Sequence, residues 1–351
     1  MALTTFAGAI RDGLAVALAR DPSVICFGLG VDDPKGVFGT TLNLHKEFGS
    51  ERVFDMPTSE NAMTGVAVGA AINGLRPVMT HQRLDFVLLT IDQLINNAAK
   101  WHFMFGGHRA VPLTIRMIIG RGWGQGPTHS QNLQAWFAHI PGLKVVMPAS
   151  AADAKGLLLS SIFDDNPVVF LEHRWLHNLK GEVPVGDYRV PIGKANRMRE
   201  GRDVTVVATS YMTIEAVHAV DHLAAQGVSC DLIDLRTVRP IDWPAIEASV
   251  RKTGRLLALD TGFTTGGVAG EIVARMATDC WKELRTAPRR LAMPDIPEST
   301  SSALTKGYHV RAEHVAAAIA QMLGKSLETQ SLAQQRKYPH DVPGEWFSGP
   351  F

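Results

Sequence analysis

Short apolar runs alternate with helical repeats of apolar residues along most of the chain. Each run is apolar or β-branched and is bounded by Gly, Pro or a charged turn, which is the pattern of a strand. In the first half, strands are predicted at 24–28, 76–80, 113–117, 143–148 and 168–172, and helices at 60–73, 87–104, 131–139 and 151–164. This alternation predicts right-handed βαβ units around a mostly parallel sheet that is buried on both faces.

The pattern stops and then restarts, which predicts two domains. Residues 176–202 are polar, contain Pro184 and Pro191 and show no sustained period, so they are assigned as a linker. Beyond it, strands are predicted at 203–210, 229–236, 255–262 and 289–293, and helices at 212–226, 243–253, 267–279 and 311–323. We therefore expect a first α/β domain over 1–175, a second over 203–325, and a polar tail over 326–351 whose terminal aromatics dock on a partner or on the chain itself.

Composition narrows the class of protein. The chain has 351 residues, 46% of them hydrophobic and 20% charged, with a formal net charge of +1 and no basic run, which argues against a nucleic-acid binder. Three cysteines, Cys26, Cys230 and Cys280, are far apart and are expected to be buried thiols in a reducing compartment. The N-terminus has the pattern of an amphipathic helix rather than a signal peptide, and no apolar run reaches the ~18 residues that span a membrane. We expect a cytoplasmic protein.

Common catalytic motifs are absent from the sequence. The glycines of Gly28-Leu29-Gly30 lack the third glycine of a dinucleotide fingerprint, and neither a phosphate-binding P-loop nor an HExxH metal motif occurs. Gly266-Gly267 precedes a predicted helix and indicates either an anion-binding helix start or a tight turn into a packed helix.

One helix start stands out. A strand ends near Pro57, Thr58 or Ser59 can cap the next helix, and Glu60 falls in its first turn. Gly65 and Gly69 follow and would let another group approach the helix closely. An isolated glutamate at such a position is more often a surface acid that compensates the helix dipole.

The surrounding segments change that interpretation. The stretch 57–71 resembles the glutamate-bearing helix start of the pyrimidine-binding domain in transketolase-like, thiamine-diphosphate-dependent enzymes. Over about 3–325 the chain resembles the β subunit of the first component of 2-oxo acid dehydrogenases of the pyruvate, branched-chain and acetoin types. The matching segments are 91–100 (IDQLINNAAK), 129–131 (HSQ), 135–139 (AWFAH), 141–146 (PGLKVV), 164–169 (DDNPVV) and 234–240 (DLRTVRP). The resemblance implies a pyrimidine-binding α/β domain followed by a transketolase-type C-terminal α/β domain.

The resemblance implies roles for individual residues. Glu60 would hydrogen-bond a ring nitrogen of the cofactor's aminopyrimidine and so favour the imino tautomer, while Phe86 would place its ring against the pyrimidine. His129 would face the bound intermediate or a lipoyl group, behind a glycine-rich loop at 120–126. His139 and His173 also match the family, and for both a structural role stays open.

Two further assignments concern ions and substrate. In several relatives a monovalent cation such as K⁺ occupies a loop matched here by Leu113, Thr114, Ser161, Asp164 and Asn166. A loop cap without an ion explains the same residues. The stretch before Phe86 is more polar than in the family, and we hypothesise that Arg83 or His81 binds an anionic or polar substrate group.

Part of the expected site is missing from this chain. The GDG…N signature for the metal at the diphosphate is absent, so the resemblance implies that an α subunit supplies it, together with most Mg²⁺ ligands, in an αβ heterotetramer. The implied reaction is 2-oxo acid decarboxylation with acyl transfer to a lipoyl-bearing acyltransferase. Leu29 stands where the family has an acid, and this loss, with the altered pocket, favours one alternative: a related two-subunit carboligase or transketolase-like enzyme of a specialised pathway. A non-catalytic assembly partner that retains the fold is a separate alternative.

Overall fold

A computed structural model of the chain describes residues 1–122 and 124–349. The helices are α1 Phe6–Arg20, α2 Leu44–Phe48, α3 Glu60–Ile72, α4 Leu84–Val87, α5 Ala99–Met104, α6 Gln134–His139, α7 Ala151–Ile162, α8 Tyr211–Ala224, α9 Trp243–Thr253, α10 Val268–Asp279, α11 Ala312–Leu323 and α12 Ser331–Gln334. The strands are β1 Ala2–Thr5, β2 Val24–Phe27, β3 Val53–Phe54, β4 Arg76–His81, β5 Thr114–Ile119, β6 Lys144–Val146, β7 Val168–His173, β8 Lys180–Val183, β9 Asn196–Arg199, β10 Val204–Ala208, β11 Cys230–Asp234, β12 Thr237–Arg239, β13 Leu256–Phe263 and β14 Arg289–Met293. None of the helices in these residues is long and apolar enough to cross a membrane.

Seven strands form the first sheet, in the order β12-β6-β7-β5-β4-β2-β3. Apart from β12, which is antiparallel to β6, all neighbours are parallel. Apolar side chains on both faces are buried in two large clusters, because helices cover each side. The predicted α/β class with a mostly parallel sheet is confirmed.

The second sheet has five strands in the order β14-β13-β10-β11-β9. Three pairs are parallel, and β9 is antiparallel to β11. Helices α8 and α11 pack together over one face, where Ala216, Leu223, Val315 and Ile319 are fully buried. The two sheets meet through β12, which follows β11 in the chain yet joins the first sheet.

Local side chains decide where several helices begin and end. The Thr5 hydroxyl accepts a hydrogen bond from Gly8 N at 3.0 Å and starts α1. The Ser150 hydroxyl accepts from Asp153 N at 3.1 Å and starts α7 in the same way. Gly254, in the left-handed conformation, ends α9.

Three of the predicted segments fold differently in the structure. The single helix predicted at 87–104 is a chain of short helical pieces: α4, a 3₁₀ turn at Leu88–Thr90, a π-helical stretch at Asp92–Ala98, and α5. The helix predicted at 131–139 begins later, at Gln134. The predicted linker 176–202 contains β8 and β9, which pair with β1 and β11. These strands were not predicted, because four residues are too few to show a period.

The polar tail folds back onto the chain. Trp346 and Phe347 pack against the cluster of buried residues that includes Phe6, Trp175 and Tyr211. Trp346 Nε1 also donates to the carbonyl of Trp175 at 3.0 Å. The sequence left open whether these aromatics dock on a partner or on the chain itself, and the structure shows Trp346 and Phe347 docked on the chain itself. Phe351 lies outside the described residues.

Candidate active site

Strands β2 and β4 approach each other very closely where both end. Gly28 follows β2 with φ +154°, and a Cβ placed there would lie 2.0 Å from the carbonyl oxygen of Thr80. Glycine is therefore required at this point of the sheet edge. The next residue, Leu29, receives a hydrogen bond on its carbonyl from Gln82 Nε2 at 3.0 Å. Loops that follow the carboxyl ends of parallel strands are the usual ligand-binding edge of such a sheet.

Glu60 lies in the first turn of α3 and is only 4% exposed. Its backbone carbonyl accepts from the Thr64 hydroxyl at 2.7 Å, and that hydroxyl also contacts Met79 Sδ at 3.4 Å, which fixes the start of α3 over β4. No described residue donates a hydrogen bond or forms an ion pair with the Glu60 carboxylate. A buried carboxylate without a donor is unfavourable, so this group fits a site where a ligand supplies the missing hydrogen bond.

Phe86 and His129 are 43 positions apart in the sequence and lie together in the structure. Their ring centroids are 5.4 Å apart with an interplanar angle of 86°, an edge-to-face contact. Both residues are half-buried, so part of each ring faces open space. Helix α3 contacts the 3₁₀ turn at Leu88–Thr90, which directly follows the helix bearing Phe86.

A second contact joins the same two segments. Gln131 Nε2 donates to Asp85 Oδ1 at 2.5 Å. Burial raises the pKa of the Asp85 carboxyl, although the Gln131 hydrogen bond and the charge of His129 act in the opposite direction. Neither Asp85 nor Gln131 was predicted as a site residue, because a hydrogen bond between such distant residues has no signature in the sequence.

Arg83 and His81 are enclosed rather than open to a substrate. Arg83 is 2% exposed; its guanidinium donates to the Gly120 carbonyl at 3.0 Å and to the Gln125 side chain. Burial lowers the pKa of His81 to about 4, so this imidazole is neutral at pH 7. These contacts favour a role for Arg83 in positioning the glycine-rich loop, and the hypothesis that either residue binds substrate stays a prediction. Trp123, inside that loop, lies outside the described residues.

The proposed cation loop is occupied by contacts from the protein itself. The Leu113 carbonyl accepts from Val168 N at 2.9 Å, and the Asp164 carboxylate pairs with Lys144. Arg76 donates to the Asp164 carbonyl at 3.0 Å. The described residues contain no group of three or more His, Cys, Asp or Glu arranged for a metal. These contacts favour the loop cap, the alternative that the sequence left open for Leu113, Thr114, Ser161, Asp164 and Asn166.

Below the site lies a buried ion pair. Arg116 Nε donates to Glu172 Oε1 at 2.7 Å, and its Nη1 donates to the Thr80 hydroxyl at 3.2 Å. His177 Nε2 is 3.4 Å from the other Glu172 oxygen. Burial alone would raise the pKa of Glu172, but Arg116 and His177 together lower it. The neighbouring His173 stacks on Tyr211, and burial lowers its pKa to about 3, which favours a structural role.

Arg121 joins the first domain to the second domain and to the tail. Its guanidinium lies 3.3 Å from Glu298 Oε1 and 3.1 Å from Asp341 Oδ2, and it donates to the Ser299 carbonyl at 2.6 Å. Sequence reasoning missed this cluster. Arg121 and Asp341 are 220 positions apart, and nothing in the local sequence marks Glu298 or Asp341 as a partner of Arg121.

Gly266 and Gly267 line a different part of the molecule. They border a cleft of about 1010 Å³ between the two domains, together with Trp136, Phe263 and Arg275. Gly267 packs tightly, since a Cβ there would lie 2.4 Å from the Phe263 carbonyl. This close packing favours the tight-turn interpretation of the glycine pair.

Comparison with known proteins assigns the family. Residues 4–179 match the transketolase pyrimidine-binding domain, and residues 193–315 match the transketolase C-terminal domain. The chain is 39% identical over 320 residues to the β subunit of acetoin:2,6-dichlorophenolindophenol oxidoreductase of Cupriavidus necator, covering 88% of this chain and 94% of that protein. It is 37% identical over 324 residues to the 2-oxoisovalerate dehydrogenase β subunit of Bacillus subtilis, covering 92% and 99%. The chain belongs to the 2-oxo acid dehydrogenase β-subunit family.

Other relatives agree with that assignment. The pyruvate dehydrogenase E1 component β subunit of Rhizobium meliloti is 41% identical over 307 residues, covering 87% of this chain and 67% of that protein. Among solved structures, a split-gene transketolase described as an inactive β4 tetramer superposes with a TM-score of 0.73 at 25% identity, covering 91% of this chain and 98% of that one. The predicted family and the two-domain transketolase-like fold are confirmed. This family depends on thiamine diphosphate, and its β subunits, as their names state, are one of at least two kinds of subunit.

Membership in the β-subunit family makes Leu29 more informative. The side chain is half-buried and packs against the large apolar cluster of the first domain. A carboxylate in its place would be partly removed from water and placed against apolar neighbours, which is costly. The apolar residues packed around position 29 therefore favour leucine over an acid.

Proposed function

We propose that this chain is the β subunit of a thiamine-diphosphate-dependent 2-oxo acid dehydrogenase that decarboxylates a 2-oxo acid and transfers the acyl group to a lipoyl group. The observation that supports the proposal most directly is Glu60, a buried residue whose carboxylate has no donor among the described residues. The chain that carries it is 41% and 37% identical to β subunits named for pyruvate and 2-oxoisovalerate dehydrogenase. The bound cofactor supplies the carbanion chemistry. In this proposal Glu60 would hold the proton at a ring nitrogen, Phe86 would pack against the ring, and His129 would exchange a proton with substrate.

The role of Glu60 is tested by Glu60→Gln in a complex reconstituted with an α subunit. Gln keeps the size of the side chain but cannot exchange the proton, so kcat should fall by about 10²- to 10⁴-fold. Glu51→Gln, at an exposed glutamate on the same stretch of chain, is the matched control and should retain full activity. The rate is measured as 2-oxo-acid-dependent reduction of an artificial dye, and cofactor binding is followed separately by quenching of protein fluorescence. If Glu60→Gln lowered kcat less than threefold while binding cofactor normally, the assignment would be wrong.

The acyl acceptor is tested with the same complex. A lipoyl domain should be reductively acylated, and replacing it with an aldehyde acceptor should give no condensation product. Carboligation or ketol transfer at comparable rates would instead support the related two-subunit enzyme, which the structural likeness to a split transketolase favours. A non-catalytic assembly partner would leave the activity of the complex unchanged in Glu60→Gln.

We propose further that the chain works in an αβ heterotetramer in which the α subunit holds most of the Mg²⁺ ligands. An exposed apolar surface suits such a partner: Phe103 is 88% exposed, Met104 57% and Phe105 46%, all at the end of α5. Exposed patches of this kind mark interaction sites. Phe103→Ser should weaken association with the α subunit at least tenfold in sedimentation velocity, whereas Val185→Ser, at a similarly exposed apolar residue elsewhere, should not. Equal effects of the two substitutions would argue against this surface.

A further inference from the structure

Two buried guanidinium groups near the sheet edge have no carboxylate partner among the described residues. Arg174 follows β7, is 3% exposed, and makes no side-chain hydrogen bond or ion pair with them. Its Nε is fully enclosed without an acceptor. Arg83, 2% exposed, binds neutral acceptors only, the Gly120 carbonyl and the Gln125 amide. Burial lowers the pKa of Arg83 and is opposed by the nearby carboxylates of Asp85 and Glu298, whereas burial alone acts on the pKa of Arg174 and lowers it. A buried charge without a counter-charge is strongly unfavourable, so Arg174 is the group that lacks an anion among the described residues.

Aromatic rings hold the two cationic groups in place. The Phe38 ring lies 4.8 Å from the Arg174 guanidinium carbon and 5.5 Å from that of Arg83. The Phe347 ring of the docked tail lies 5.3 Å from the Arg174 guanidinium carbon. Phe38 itself has φ +51°, a backbone conformation that is costly for a bulky residue. Cation–π contacts orient a guanidinium but do not neutralise its charge.

Arg174 opens onto a cavity of about 390 Å³, which is the size of a small-molecule site. Its lining also includes Lys35, Gln82, His177 and Asn178, and the Asn178 Oδ1 has no hydrogen-bond partner. Burial lowers the pKa of His177 to about 4, so that ring is neutral at pH 7. Asp33 is the acid in the lining; it is exposed and its Oδ1 accepts from Lys35 N at 2.8 Å.

The cavity lies at the carboxyl edge of the parallel sheet. Lys35 belongs to the loop after β2, Gln82 follows β4, and Arg174 follows β7, so three segments meet there. Its lining contains none of Glu60, Phe86 or His129. It does contain Gly30, which directly follows Leu29, so an acid at position 29 would place a negative charge beside this cavity.

We infer that this cavity is a binding site for a small organic anion, with Arg174 binding the carboxylate or phosphate group of the ligand and Lys35 adding positive charge at its mouth. A planar guanidinium binds both groups through paired hydrogen bonds, and contact with the Phe38 and Phe347 rings restricts its orientation. The site is additional to the proposed cofactor site and does not depend on the reaction assigned above.

The test uses the full-length chain with inorganic phosphate and with succinate as probes, against chloride at equal ionic strength. At least one probe should raise the thermal unfolding midpoint with a saturable concentration dependence. Arg174→Gln should weaken that binding by at least tenfold, Lys35→Gln by about two- to fivefold, and Arg109→Gln, at an exposed arginine elsewhere, should leave it unchanged. A response to phosphate alone identifies a phosphate site, and a response to succinate alone a carboxylate site.

Three results would overturn the inference. One is that neither probe stabilises the chain more than chloride does. Another is that Arg174→Gln binds the probe as tightly as the unaltered chain. Should Arg174→Gln not fold, the corresponding result is that Lys35→Gln binds the probe as tightly as the unaltered chain. The third is that binding appears only after removal of residues 350–351, because the chain's own terminus would then be the anion that occupies the cavity.

Discussion

Glu172→Gln tests whether the buried ion pair beneath the site stabilises the first domain. Arg116 and Glu172 are 1% and 0% exposed and are joined at 2.7 Å. Gln keeps the shape of the side chain but removes its charge, and Arg116 would then be a buried cation without a counter-ion. Its Nη2 already lacks an acceptor, so no other group is placed to compensate. Breaking a buried pair in this way costs about 3–5 kcal/mol.

The assay is urea unfolding at pH 7.5, followed by circular dichroism and by tryptophan fluorescence. The free energy of unfolding should fall by the amount above, whereas Asp221→Asn, which breaks the exposed pair with Arg199, should cost at most about 1 kcal/mol. Replacing both Arg116 and Glu172 with Met should cost less than Glu172→Gln alone, because no charge is then left buried. Equal losses for Glu172→Gln and Asp221→Asn would refute the argument.

The pH dependence of the unfolding free energy tests whether the charge of Glu172 is what stabilises the fold. The pKa of Glu172 is lowered in the folded chain, so its contribution to stability is present above about pH 4.3, the ordinary glutamate value, and is lost as the pH falls through the folded pKa. The stability difference between the unaltered chain and Glu172→Gln should therefore be constant near neutrality and should shrink below about pH 4. A difference that grew on acidification would show that the charge of Glu172 is not what stabilises the fold.

Two other predictions concern the buried histidine and the tail. Burial lowers the pKa of His81 to about 4, so the free energy of unfolding should fall by on the order of 3 kcal/mol as the pH drops from about 6.5 to 4. His81→Gln should flatten that part of a plot of unfolding free energy against pH. An unchanged plot would contradict the burial argument. Trp346→Ala removes a packed ring and its hydrogen bond to the Trp175 carbonyl, so it should lower the free energy of unfolding by about 1–3 kcal/mol and expose the tail to limited proteolysis. Glu345→Ala, at the neighbouring exposed residue, should do neither.

Much of the architecture could be predicted from local pattern. The alternation of apolar runs and helical repeats is a property of neighbouring residues, so it determined the α/β class and the order of most central strands. The start of α3 at Glu60 was predicted from the family resemblance and from Thr58 and Ser59; Ser59 is the N-cap residue, but its side chain makes no capping hydrogen bond. Short edge strands such as β3, β8, β9 and β12 escaped prediction, because two to four residues are too few to show a period.

The tertiary structure alone decided which distant residues meet. The contacts of Phe86 with His129, of Arg121 with Asp341, and of Arg174 with Phe347 join segments separated by 43, 220 and 173 positions, and no local periodicity encodes them. It also decided which charges are buried without a partner, since burial depends on all the segments that surround a side chain. The sequence by itself determined where Glu60 begins its helix, and packing determined that this residue is buried with no donor to its carboxylate among the described residues.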